Sequence, residues 1–184
     1  ARDTKKIIKF CKKNKIKIIE DTSEALGSKI NGKVVGSFGD INVTSIRSEK
    51  MIGVGEGAII STNNKRIFEN FTLLASRSAP FRTSKDPYWK KYFVSGEGYN
   101  YLMPHLLGSV ARGQIERFEK DLIKKKISVG KIYMHQLKKY NLNYGQQILE
   151  KSKPVFWLNS VIFDNLSINK IRNLGESLKK QGIE

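Results

Sequence analysis

The chain has 184 residues, of which 39% are hydrophobic, as expected for one globular domain or for parts of two. It lacks any run of about 18 apolar residues, so no transmembrane helix is expected, and its first residues lack the apolar core of a signal peptide. The default location is the cytosol. The single cysteine, Cys11, cannot form an internal disulfide and is expected to pack on the apolar side of a helix.

Thirty-four Lys and Arg residues against 17 Asp and Glu residues give a formal charge of +17, which invites a nucleic-acid or phosphate-ligand interpretation. The basic residues are spread over nearly every predicted helix, and no arginine-rich or aromatic-interleaved tract concentrates them. This distribution favours a lysine-rich solvated surface, and nucleic acid is not the expected partner. An anionic ligand such as a nucleotide would still benefit from the positive field.

The first residues predict a helix followed by a strand. Apolar residues recur at helical spacing over residues 4–13, and the apolar run at 16–19 is typical of a buried parallel strand that ends in Glu20 and Asp21. Because the carboxyl ends of strands in open α/β sheets face the ligand crevice, Asp21 is a candidate site residue. The alternative is an aspartate that caps or shapes the turn after it.

A hairpin and two strands come next. Asn31-Gly32 between β-prone flanks predicts a hairpin over residues 28–36. Residues 41–46 and 58–61 are predicted to be strands, because each is a short β-prone apolar run.

The stretch between these two strands holds Lys50, followed by glycines at positions 53, 55 and 57. This arrangement fixes a primary amine at the end of a tight loop, where it can act as a nucleophile towards an aldehyde. A surface lysine beside an ordinary glycine turn is the alternative. Ser45, near the end of the preceding strand, is either an anion-binding hydroxyl or an ordinary strand serine.

The rest of the chain is predicted to be mostly helical. Residues 66–76 form an amphipathic helix, a long helix starts near His105 and runs to Tyr140, and a strand at 153–163 precedes a helix at 168–182. The loop between the helix at 66–76 and the long helix carries five aromatic residues, which stack on a nucleotide base, fill a partner's surface or pack the loop down. They are Phe81, Tyr88, Trp89, Tyr92 and Phe93.

The sequence carries no signal for two other chemistries. His105 and His135 are the only histidines and have no Cys or carboxylate cluster at ligand spacing, so no metal site is expected. No motif supports Ser–His–Asp catalysis.

A helix opens the chain and another closes it, each without the strand that a βα repeat requires, so the sequence predicts an interior piece of a longer polypeptide.

Four separated motifs resemble one family in order and spacing. They are EDTSEALGS (20–28), GSFGDI (36–41), Ser-x4-Lys-x4-Gly-Glu-Gly (45–57) and GYNY (98–101). The family is the DegT/DnrJ/EryC1/StrS group of sugar aminotransferases, which use pyridoxal 5′-phosphate (PLP). The resemblance is nearest to enzymes that aminate 4-keto-6-deoxy nucleotide sugars, including perosamine and bacillosamine synthases.

The resemblance implies an α/β fold, a fragment of the PLP fold-type I (aspartate aminotransferase-like) large domain with part of the small C-terminal domain. Residues 1–104 would be the later part of the large domain, 105–145 a bridging helix and 146–184 a partial small domain. The family's upstream phosphate-binding turn and ring-stacking aromatic are absent from the chain. The isolated chain is therefore expected to bind PLP poorly.

The resemblance also implies roles for five residues. Lys50 would be the catalytic Schiff-base lysine, and Asp21 would face the pyridine nitrogen of PLP. Glu24 would contact the ring hydroxyl, and Ser45 would bind the phosphate. Asn100 would reach across a homodimer interface to the partner's cofactor phosphate, which makes the active sites shared.

Two departures from the family pattern stand beside these matches. Leu102 replaces the arginine that typically follows GYNY, which removes a cation near the interface. The pair Ile46-Arg47 stands where the family usually has a Phe or Tyr and a smaller neighbouring residue, and this difference alters the packing beside the candidate lysine.

The implied reaction transfers an amino group, from glutamate in related enzymes, to a 4-keto-6-deoxy nucleotide sugar. One alternative is a sugar dehydratase of the same family, in which a histidine replaces the Schiff-base lysine. A second alternative, from another class, is a basic nucleic-acid-binding module.

Overall fold

The computed structural model describes residues 4–79, 85, 87 and 93–183. The predicted aromatic residues Phe81, Tyr88, Trp89 and Tyr92 lie outside the described residues. The helices are α1 (Thr4–Lys13), α2 (Lys65–Ala75), α3 (His105–Arg117), α4 (Ile123–Lys139) and α5 (Ile168–Lys180), with a π-helical turn (Phe118–Leu122) between α3 and α4. The strands are β1 (Ile19–Asp21), β2 (Lys29–Ile30), β3 (Lys33–Val34), β4 (Ile41–Ser45), β5 (Ala58–Ser61), β6 (Asn143–Tyr144), β7 (Ser152–Lys153) and β8 (Val161–Ile162). Within this described part of the chain, every helix is too short or too polar to cross a membrane.

The chain divides into two compact units. The first comprises Ala1–Ile127 and Ile148–Trp157, and the second comprises Ser128–Gln147 and Leu158–Glu184. The first unit holds the sheets β1-β4-β5 and β3-β2-β7, and the second holds the β6-β8 pair and α5. The predicted domain boundaries at 104 and 145 stay a prediction.

The sheet β1-β4-β5 positions the candidate residues. β1 runs parallel to β4, with Asp21 paired to Val43, and β4 runs antiparallel to β5, with Ser45 paired to Ala58. Parallel strands end at the same edge of a sheet, so Asp21 and Ser45 project from neighbouring strand ends. The loop that carries Lys50 connects β4 to β5 at that edge.

The predicted strand at 16–19 lies three residues too early, because the observed strand β1 is Ile19–Asp21. The reason is the side chain of Asp40, whose Oδ2 accepts from the Ile18 backbone N–H at 2.9 Å and whose Oδ1 binds Lys17 Nζ at 2.9 Å. The Ile18 carbonyl accepts from the backbone N–H groups of Asp40 at 2.9 Å and Ile41 at 3.3 Å, so Ile18 is held by the loop that precedes β4 and by the first residue of that strand.

The predicted strand over 153–163 is wrong, because two short strands occupy its ends. β7 pairs with β2, whereas β8 pairs with β6. Between them Pro154 has no N–H to donate, and Phe156 has a left-handed backbone with φ +54°. These two residues interrupt the extended conformation that the apolar run predicts.

The other predicted elements are confirmed, with boundaries shifted by at most two residues in the described helices α1, α2 and α5. In the hairpin, Asn31 (φ +51°) and Gly32 (φ +78°) occupy the left-handed region that a type I′ turn requires. The long helix predicted from 105 to 140 is present, but the π-helical turn divides it into α3 and α4.

The core of the first unit lies between the Lys50 loop and α3. Ile46, Ile52, Val54 and Ala111 form a buried cluster. Partly buried residues packed against it are Leu26, Ile59, Met103, Leu107 and Phe118. The apolar residues of the loop thus anchor it on both sides of the lysine.

Glu20, beside Asp21 on β1, fixes the loop that precedes β4. Its Oε1 accepts from the backbone N–H groups of Phe38 and Gly39, both at 2.6 Å, and its Oε2 accepts from Gly36 N–H at 2.8 Å. Charge-assisted bonds of this kind are roughly twice as strong as neutral ones. Glu20 therefore holds β1 and the loop together.

We expect Glu20→Gln to lower the free energy of unfolding by about 1–3 kcal/mol, because its amide nitrogen cannot accept from a backbone N–H. Urea unfolding followed by circular dichroism measures the change. The matched control is Glu69→Gln on α2, whose carboxylate makes an exposed ion pair with Lys65 at 3.7 Å. That variant should lose about 0.5 kcal/mol or less. Equal losses in the two variants would contradict the role of Glu20.

Candidate active site

The loop between β4 and β5 is closed by its own backbone. Ile46 N–H donates to the Gly57 carbonyl at 3.0 Å, and Val54 N–H donates to the Ile46 carbonyl at 3.0 Å. At the tip of the loop, Lys50 N–H donates to the Arg47 carbonyl at 3.0 Å, which forms a tight turn. The backbone that carries the lysine is therefore fixed on both sides.

Gln114 of α3 braces this loop from outside. Its Oε1 accepts from Gly53 N–H at 3.0 Å, and its Nε2 donates to the Gly53 carbonyl at 2.7 Å. A Cβ at position 53 would lie 2.4 Å from the Ser48 carbonyl oxygen, so glycine is required there. The side-chain amide thus satisfies both backbone groups of a residue that must approach its neighbour closely.

The side chain of Lys50 is only 11% exposed. Its Nζ lies 3.5 Å from Glu24 Oε1 and 4.2 Å from the centroid of the Trp157 ring. A largely covered amine with one carboxylate and one aromatic face beside it differs from the solvated surface lysine of the alternative interpretation.

An open cleft of ≈ 520 Å³ lies at this edge of the sheet. It is lined by Asp21, Ser23, Glu24, Ser45, Arg47, Glu49 and Lys50. Lys50, Asp21, Glu24 and Ser45, four of the five residues predicted for the site, therefore line one cleft.

Ser23 holds the carboxylate of Asp21. The Ser23 hydroxyl donates to Asp21 Oδ1 at 2.5 Å, and the Ser23 backbone N–H donates to the same oxygen at 3.0 Å. The hydroxyl bond, then the backbone bond and, more weakly, the positive charge of Lys50 hold the pKa of Asp21 below its ordinary value of 3.8. Asp21 is thus both a turn aspartate and an ionised group in the cleft.

Ser45 is held by the same serine. Its backbone N–H donates to Ser23 Oγ at 2.9 Å, and its own Oγ accepts from Arg47 N–H at 3.4 Å. The hydroxyl proton of Ser45 is not used by either bond, so this group can donate to an anion.

Asn100 lies apart from the cleft residues. It is exposed and forms an antiparallel bridge with Ser76. On either side, Tyr99 and Tyr101 stack with ring centroids 5.2 Å apart and an interplanar angle of 11°. Leu102, the departure from the family pattern, is 62% exposed next to this pair.

Sequence reasoning missed Ser23, Gln114 and Trp157. Ser23 follows Asp21 by two residues, and this spacing is the signal of a side-chain turn that would have found it. Gln114 and Trp157 carry no local signal, because their roles come from contacts with residues distant in sequence.

We expect Ser23→Ala to raise the pKa of Asp21 towards its ordinary value, because the largest cause of the lowering is removed. Because the pKa of Asp21 is lower in the folded protein than in the unfolded chain, the ionised carboxylate stabilises the fold above pH 3.8. This stabilisation is lost as the pH falls through the folded-state pKa of Asp21. Carboxyl ¹³C NMR titration of Asp21 measures the shift. Ser37→Ala in the β3–β4 loop is the control, and an unchanged Asp21 titration in Ser23→Ala would contradict this assignment.

We expect Gln114→Leu to speed amide hydrogen exchange at Gly53 by about tenfold or more, since the loss of one hydrogen bond of about 1.4 kcal/mol corresponds to that factor. Exchange measured by NMR checks this. The control is Gln136→Leu on the exposed surface of α4. Protection of Gly53 that is the same in both variants would show that Gln114 does not hold the loop.

Comparison of the sequence and the structure with known proteins identifies the family of the chain. GDP-perosamine synthase of Escherichia coli O157:H7 is 32% identical over 163 residues, which cover 87% of this chain and 41% of that protein. Two solved structures share the fold at 22% identity and 99% coverage of this chain. They are Helicobacter pylori PseC, an aminotransferase of pseudoaminic acid biosynthesis (TM-score 0.83, 47% of that chain), and E. coli GDP-4-keto-6-deoxy-D-mannose-3-dehydratase with bound hydrated PLP (TM-score 0.76, 49% of that chain).

The chain thus spans less than half the length of these proteins. The structural likeness confirms the predicted fold, a part of the PLP fold-type I architecture. The family profile matches residues 1–184, and its members bind PLP. As the four motifs predict, the chain belongs to the DegT/DnrJ/EryC1/StrS aminotransferase family.

Proposed function

We propose that the complete enzyme containing this chain is a PLP-dependent aminotransferase. Its amino donor is an amino acid, glutamate by resemblance, and its acceptor is a 4-keto-6-deoxy nucleotide sugar. The observation that carries the proposal is the Lys50 amine, 11% exposed in a cleft that also holds the ionised Asp21. The class of sugar rests on the similarity to GDP-perosamine synthase.

The chemistry of the cleft residues fits PLP. The cleft offers an amine for the aldehyde of PLP and an ionised carboxylate for its basic ring nitrogen. It also offers a free hydroxyl proton for the phosphate. In the proposal Lys50 holds the group covalently, Asp21 binds its ring nitrogen, Glu24 its ring hydroxyl and Ser45 its phosphate. The bound group supplies an electrophilic carbonyl and an electron-withdrawing ring.

The chain's own residues then have defined tasks. Asp21 stays ionised at neutral pH and favours a proton on any base that faces it. Lys50, once its amine is free, would move a proton between the substrate carbon that bears the amino group and the cofactor carbon to which the lysine had been attached, in one direction in the first half-reaction and in the other direction in the second. Ser23 keeps Asp21 oriented through two hydrogen bonds to one oxygen.

The proposal includes a homodimer with shared sites. Asn100 is exposed and lies outside the cleft lining, which is compatible with contact to a second copy of the chain. The neighbouring exposed side chains of Tyr101 and Leu102 supply apolar area for such a contact. The partner's Lys50 cleft would then receive the Asn100 amide.

Two other functions have weaker support. A dehydratase shares the fold at a TM-score of 0.76. The resemblance aligns Lys50 with the position at which the family's dehydratases carry histidine, and a lysine there favours amino transfer. A nucleic-acid-binding module is suggested only by the charge of +17, which is not concentrated in one tract. The aminotransferase is therefore preferred.

We expect the complete enzyme to show a near-ultraviolet or visible absorbance band that borohydride removes, and Lys50→Ala to abolish this response. The variant should also lower kcat by at least about 10²–10⁴-fold, the contribution of a general acid–base. Absorbance scans and an assay with a panel of 4-keto nucleotide sugars measure both effects. The control is Lys65→Ala, since the Lys65 side chain is 88% exposed on α2.

Two outcomes would contradict the proposal. One is a borohydride-sensitive band that persists in Lys50→Ala. The other is the absence of a chromophore from the complete enzyme together with DNA binding that weakens steeply as salt is raised, which is the behaviour of a basic binding module.

A further inference from the structure

The segment just before Trp157 is anchored in the first unit. Val155 and Phe156 are 1% and 4% exposed, and Val155 N–H donates to Ser28 Oγ at 3.2 Å. β7 pairs with β2 immediately before this segment. Trp157 is therefore presented by a fixed backbone.

The indole of Trp157 is oriented by the Lys50 loop. Its Nε1–H donates to the Glu49 carbonyl at 3.2 Å, and its ring centroid lies 4.2 Å from Lys50 Nζ. Glu49, which binds the edge of the indole, is thus the direct neighbour of Lys50, whose amine lies over the indole face. A distance of 4.2 Å is within the range at which an ammonium is attracted to an aromatic face.

The other partner of the amine is less constrained. Glu24 Oε1 lies 3.5 Å from Lys50 Nζ, but the Glu24 side chain is 62% exposed and can exchange the amine for water. A lysine side chain has four rotatable bonds, so a free amine samples many positions unless a fixed group restrains it. The indole is that fixed group.

We propose that Trp157 is a positioning residue, which holds the Lys50 amine over the cleft whenever that amine is not covalently engaged. The proposal rests on the proposed function, because an aminotransferase frees its lysine in every turnover and needs it at the same carbon afterwards. Trp157 acts through Lys50 and contacts neither reactant in this role. Its aromatic face is the effective feature, and the hydrogen bond to Glu49 orients it.

The test that needs no cofactor is competitive labelling of the cofactor-free complete enzyme with acetic anhydride. The acetylation of Lys50 is compared with that of Lys65 by mass spectrometry. We expect Trp157→Leu and Trp157→Met to raise the Lys50/Lys65 ratio by roughly tenfold, because the amine is no longer covered. Trp157→Phe, which keeps an aromatic face, should stay within about threefold of wild type.

Kinetics provide the second readout. Trp157→Leu should lower kcat by roughly tenfold with the KM for the nucleotide sugar changed by less than about twofold, and Trp157→Phe should restore most of kcat. Urea unfolding of each variant identifies one that fails to fold, and Trp157→Met then replaces Trp157→Leu.

Two results would overturn the inference. One is an equal labelling ratio in wild type and in the folded Leu or Met variant. The other is a Phe variant that behaves like the Leu variant, since the hydrogen bond to Glu49 would then be the important contact. Absence of a borohydride-sensitive band in the wild-type enzyme would instead refute the proposed function, while the difference in the Lys50/Lys65 ratio between wild type and the Trp157 variants would remain. Failure of the proposed function and failure of the inference are therefore distinguishable.

Discussion

The candidate site depends on the closure of the loop between β4 and β5. Ile46 binds both Gly57 and Val54 through its backbone, and its side chain is fully buried in the core. Glycine is favoured at position 57, because its φ of +134° is a backbone conformation that residues with a side chain rarely adopt. The backbone bonds and the burial of the loop's apolar side chains together fix the position of the loop. The position of the loop in turn limits where the Lys50 amine can reach.

The sheet provides the second constraint. Since β1 and β4 are parallel neighbours, the residues at their carboxyl ends face the same cleft as the loop. Hydrogen bonds from Ser23 then set the protonation state of Asp21, and a backbone bond to the same serine holds Ser45. One serine therefore couples the two strand ends, and a carboxylate stays ionised beside an amine in a partly covered cleft.

Local patterns in the sequence were sufficient for most elements and for the family, since apolar periodicity, the asparagine–glycine turn and four ordered motifs are all local signals. The start of β1 was not predictable, because side-chain bonds of Asp40 set it. The break in the predicted strand 153–163 depends on the left-handed backbone of Phe156. Trp157 over Lys50 is a tertiary contact, and no pattern in either segment encodes it.

The proposed function depends most on the Lys50 amine being the covalent attachment point of the cofactor. The most direct test is borohydride reduction of the complete enzyme with pyridoxal 5′-phosphate, followed by peptide mapping by mass spectrometry. We expect a phosphopyridoxyl group on Lys50 in stoichiometric amount. Modification spread over exposed lysines such as Lys65, with Lys50 unmodified, would contradict it.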